Sequence, residues 1–116
     1  MRDAEWRVVE NWLAATNAPL GTAAPVGVLI ESRNGDQVPR VEAEMRRAGM
    51  AMIKVSQKRW WPFRTKWELM GRVPKLRMSR TEMDAWLDRI ETSIAPYGAT
   101  VVHWTPLDPM PNEILT

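Results

Sequence analysis

Residues 78–107, MSRTEMDAWLDRIETSIAPYGATVVHWTPL, change their hydrophobic period once, and that change decides how the remainder of the chain is read. Met83, Trp86, Leu87, Ile90 and Ile94 recur at helical spacing, so one side of a helix is apolar and has to be covered. Ser79-Arg80-Thr81-Glu82 has the form of a capping box at its start, and Pro96 with Gly98 stops it. Thr100, Val102 and Trp104 then alternate with Val101 and His103, which predicts a strand. The helix acids Glu82, Asp84, Asp88 and Glu91 fall on capping and wet positions and do not form a catalytic carboxylate pair.

The same test of period extends upstream. Thr65 to Val73 predicts a strand with Trp67 and Leu69 covered and Lys66 and Glu68 opposite, weakened at its end by Pro74. Pro62 makes 58–64, KRWWPFR, a hairpin loop or a frayed edge. Before it, Ala51, Ile53 and Val55 form a covered face alternating with Met52, Lys54 and Ser56 on a wet one. Val38, Val41, Met45 and Ala48 mark a helix with Asp36 as its cap, Pro39 in its first turn and Gly49 after its end. Val26 to Ser32 reads as a buried strand ending at Asn34-Gly35-Asp36, and Thr16 to Pro25 as a linker. A first helix, capped by Asp3 and running from Ala4 to Ala15, carries Trp6, Val9, Trp12 and Leu13 as an apolar stripe.

After that first helix the order is strand, helix, strand, strand, helix, strand. This predicts an α+β fold: a ferredoxin-like βαββαβ sandwich with a four-stranded antiparallel sheet, two helices on one face and an extra N-terminal helix. The expected organisation is an N-terminal helix and linker over 1–24, the ferredoxin-like domain over 25–107 and a Pro-rich tail over 108–116. The opposite sheet face is left available.

Composition narrows the chemistry. The 116 residues are 45% hydrophobic and 26% charged, the balance of one globular domain. Without cysteine there is no disulfide, thiolate metal site or cysteine nucleophile, and His103 alone cannot build a site of two imidazoles. No Gly-rich phosphate loop or zinc-hydrolase motif occurs, so no enzyme activity and no cofactor are expected. The start of the chain lacks an apolar leader and no stretch is long enough to span a bilayer, so a cytoplasmic protein without membrane contact is expected.

Between Lys54 and Arg80 lie nine cations against Glu68 alone, a net +8, which leaves the remainder at −6. Such a dipolar chain is expected to bind an anionic partner on its basic side. The string 58–67, KRWWPFRTKW, places aromatic rings beside cations. Lys58, Arg59, Trp60, Trp61, Phe63, Arg64 and Lys66 are the candidate binding residues. The same set suits an acidic protein segment or a single-stranded nucleic acid, whose bases stack on rings while phosphates meet the cations. The methionines Met45, Met50, Met52, Met70, Met78 and Met83 are expected mainly as core gap-fillers. The stripe on the N-terminal helix needs a cover, which raises the expectation of a homo-oligomer through that helix.

The helix 78–98 ending in Tyr97-Gly98, followed by the strand with Trp104, resembles the C-terminal half of the RraB family of ribonuclease E inhibitors. The helix ending in Ala48-Gly49 and the strand from Met50 to Val55 are similar to that family's preceding pattern. The resemblance covers about Val26 to Leu107. It implies a non-catalytic regulatory domain that binds an RNA-processing endonuclease and inhibits it.

Overall fold

A computed structural model describes residues 3–62 and 64–108, the side chains of Trp60 and Trp61 excepted. The chain runs through α1 (Asp3–Ala15), β1 (Ala23–Ser32), a 3-10 turn (Gly35–Gln37), α2 (Val38–Arg47), β2 (Ala51–Trp61), β3 (Arg64–Arg77), α3 (Arg80–Ile94), a second 3-10 turn (Ala95–Tyr97) and β4 (Ala99–Pro106). The four strands form one sheet in the order β2-β3-β1-β4, every neighbouring pair antiparallel. Among the described residues this is an α+β fold with three α-helices.

Alternation along the central strands divides the sheet into two faces. Val26, Val28 and Ile30 of β1, Leu69 and Val73 of β3, and Ala99 and Trp104 of β4 are buried with the helices. The expected stripe of α3 is buried at all five positions, Met83, Trp86, Leu87, Ile90 and Ile94, and Val38, Val41 and Met45 of α2 join them. The indole N–H of Trp86 donates to the Ala48 carbonyl at 3.3 Å, fastening α3 to the end of α2. Gly98 closes the turn after α3 at φ +73°, a conformation that L side chains rarely adopt.

The N-terminal helix belongs to this same core. Val9 and Leu13 are buried in it, Trp6 and Trp12 pack against it, and the Trp104 indole donates to Glu5 at 3.3 Å. Its stripe is therefore covered within the chain, which removes the reason for expecting a second subunit there. Asp3 lies inside the helix and accepts from Arg80 at 2.6 Å. That hydrogen bond is the main cause holding the Arg80 guanidinium above its ordinary pKa.

Several sequence expectations are corrected. The linker is shorter than Thr16 to Pro25, because Ala23 and Ala24 already pair with Arg77 and Leu76. Pro74 does not end β3. Both Pro25 and Pro74 fall within the register shift between Ala24 and Val26, where a missing N–H breaks no ladder bond. Asp36 does not cap α2, whose N-cap is Gln37 without a side-chain bond; Asn34 caps the short turn before it, its side chain accepting from the Asp36 N–H at 3.1 Å. The capping box of α3 does not close, since Ser79 makes no side-chain cap bond and Glu82 approaches Arg77 at 3.7 Å instead. Met52 and Met70 are exposed, whereas Met45, Met50, Met78 and Met83 fill the core as expected.

The largest correction concerns β2. Ala51 and Val55 are exposed where a covered face was expected, and only Ile53 is half-buried. β2 lies at the sheet edge, beyond the helices' cover, and its ladder slips between Ala51 and Lys54 where Met52 takes φ +54°. Most of 58–64, expected as a hairpin loop or a frayed edge, is ladder of the edge strand and its partner. β2 continues to Trp61, β3 resumes at Arg64, and Pro62 occupies the turn.

Candidate docking surface

Antiparallel pairing extends the β2–β3 ribbon past the rest of the sheet. The last contact of β1 with β3 is Ser32 opposite Trp67. Beyond it only two strands remain, with Lys58 opposite Lys66, Arg59 opposite Thr65 and Trp61 opposite Arg64. A second register shift, between Arg59 and Trp61, gives this end another bulge. Residues 58–66 contain four cations and no carboxylate.

Trp67 anchors the base of the ribbon. A Cβ on Gly35 would lie 2.5 Å from Trp67 Cζ2, so the indole edge rests directly on the backbone of the turn after β1. That turn is itself held by Ser32, whose buried hydroxyl accepts from the Asn34 N–H at 3.3 Å. The ring of Trp67, part of the basic aromatic string, is thus committed to packing.

The candidate residues are treated unequally by the fold. Lys66 is half-buried and its ammonium lies 3.4 Å from Glu31 and 4.0 Å from Glu68. These carboxylates neutralise it from within. Lys58, directly across the ribbon, is exposed and pairs with no described carboxylate, and the same holds for Arg59 and for Lys54 further down the strand. Arg64 is exposed at the start of β3. Like charges directly opposite on one ladder are unfavourable, so the Lys58–Lys66 pairing is a local conflict that folding does not require. The positions of the Trp60 and Trp61 side chains and of Phe63 lie outside the described residues.

The basic stretch does not form one patch. Arg77 meets Glu82 and Arg80 meets Asp3 at the opposite end of β3, while Arg72 donates to the Asp108 carbonyl at 2.8 Å. What the fold brings together with the hairpin is the sheet face turned away from the helices. There Lys54 is opposite Met70 and Ser56 opposite Glu68, with Leu29 of β1 next to Met70. The alternation on β2 places Met52 beside Lys54 on the wet face, a position at odds with a core gap-filler. That was the available signal.

His103 is exposed on β4, at the rim of a groove of about 480 Å³ that also contains Glu5, Asp88 and Glu91. Among the described residues no group of three or more His, Asp or Glu side chains could hold a metal ion, and no helix is long and apolar enough to cross a membrane. The chain matches no family model and no curated protein.

Proposed function

We propose that the protein is a non-catalytic regulatory domain of ferredoxin-like topology that docks on an acidic segment of a protein partner through the free end of its β2–β3 hairpin. The element order after α1 and the strand order β2-β3-β1-β4 support the topology. The docking reading is carried by one observation: Lys58 and Arg59 stand exposed and without a described counter-charge on a two-stranded ribbon that extends past β1. Exposed cations on such a ribbon can meet carboxylates with little loss of hydration and accelerate encounter through the long-range field. Their resemblance-based partner is an RNA-processing endonuclease of the ribonuclease E type, whose cleavage rate the domain would lower.

A protein partner is favoured over single-stranded nucleic acid by the adjoining sheet face. Its described side chains include no indole, phenyl or phenol ring; apart from the single imidazole of His103 its apolar lining is aliphatic, with Leu29, Met52, Met70 and Leu107.

The test is an endonuclease cleavage assay with increasing amounts of the protein, at low and at high salt. Dose-dependent slowing that weakens with salt, and that the Lys58→Glu/Arg59→Glu double variant loses, is the expected result. Inhibition unchanged in that variant would overturn the hairpin as the contact. Tight binding of the protein to an oligouridylate, with no effect on the enzyme, would favour nucleic acid instead.

A further inference from the structure

Leu29, Met52 and Met70 line a cleft of about 330 Å³ in the sheet face away from the helices, together with Gly27, Lys54 and Arg72. Four other methionines are buried, yet Met52 and Met70 are each 57% exposed. Thioether chains are flexible and polarisable, which suits them to mould around an incoming apolar group. Met52 is also held at φ +54°, in the left-handed region that a methionine enters only when its surroundings impose it, and it sits within the slip of the ladder between Ala51 and Lys54. Neither the core nor the hairpin charge requires an apolar side chain at that point.

The cleft is continuous with the hairpin. Lys54 is in register with Met70, and Lys58 follows on the same side of β2 toward the free end; the carboxylates of the row between them, Glu31 and Glu68, are held by Lys66, which leaves Lys54 and Lys58 as exposed cations of this face without a described counter-charge. We propose that this cleft receives a large aliphatic side chain of the partner's acidic segment, whose carboxylates meet Lys54 and Lys58. The inference rests on the docking reading above and specifies its ligand: an acidic amphipathic peptide, recognised by an aliphatic anchor as well as by charge. A second copy of this chain fits less well, because a two-fold contact between such faces would set Lys54 and Lys58 against their own counterparts.

The experiment uses the intact protein and two fluorescent peptides of equal length and glutamate content. One has leucines between the glutamates and the other has serines in their place. The leucine peptide is expected to bind about tenfold more tightly, and only it should shift the methyl resonances of Met52 and Met70. Met70→Ser and Met52→Gly should each remove the leucine preference; the glycine relieves the left-handed backbone, so loss of fold cannot imitate the result. Lys58→Glu/Arg59→Glu should weaken both peptides alike.

Equal affinity for the two peptides, with the double variant still weakening both, would overturn the cleft and leave the hairpin standing. Silence of the double variant would overturn the hairpin reading, and failure of both peptides to bind would overturn both. Methyl shifts that grow with protein concentration alone would give the cleft to a second copy. Methyl shifts produced by an oligouridylate more strongly than by the leucine peptide would give it to nucleic acid.

Discussion

Val55 and Leu69 face each other across the same pair of strands, yet Leu69 is fully buried and Val55 is 43% exposed. The difference lies in what covers each position. β3 is flanked on both sides and roofed by helices, whereas β2 is an edge strand that leaves the body as half of a free ribbon. A single rung of the hairpin is thereby core on its β3 side and presented surface on its β2 side. The teaching of the comparison is that burial follows from neighbours in the sheet, and hydrophobic alternation alone does not supply them.

Substitutions can break this contrast in order of size. Trp86→Ala, in the layer that roofs the covered end, should lower unfolding free energy by about 3–5 kcal/mol in urea titration; a small change would mean that α3 does not roof the sheet as described. Leu69→Ala should cost about 2–5 kcal/mol and Val55→Ala about 0.5 kcal/mol or less. Equal costs at the two positions would erase the distinction between central and edge strand. At the base of the ribbon, Gly35→Ala should cost about 1–3 kcal/mol, because the new methyl group meets the Trp67 ring. The indole fluorescence of a variant retaining normal stability would show that the ring has room to move.

The smallest effect has the most informative sign. Lys58→Glu places a carboxylate opposite Lys66 and should raise stability by about 0.3 kcal/mol while weakening association. Thermal melting and the cleavage assay read the two quantities separately. A drop in stability with association unchanged would assign Lys58 to the fold rather than to the contact.

The firmest elements were legible because local pattern and burial agree. Every apolar position named on α3 is buried, since a 3.6-residue stripe of that width has no use except against a core. On β2 the same logic failed at Ala51 and Val55: a period of two separates two faces without saying that either has a roof. The basic stretch was legible as a sum and misleading as a place. Arg77 and Arg80 are near Lys66 in sequence terms, but a strand rising roughly 3.3 Å per residue carries them far from the hairpin turn and into their own ion pairs. The cleft was missed because its parts, Leu29, Met52 and Met70, come from three strands.

Composition and periodicity by themselves determined that this chain forms one α+β body with an apolar-faced helix behind its final strand, because side-chain direction repeats with the backbone and needs no distant partner to be read. Which cations remain unpaired, which tryptophan is spent on a turn, and which methionines reach the surface were decided only in three dimensions. Those outcomes depend on residues far apart in the chain, such as Glu31 beside Lys66 and Gly35 beneath Trp67, and distance along a sequence carries no information about such meetings until the strands have taken their order.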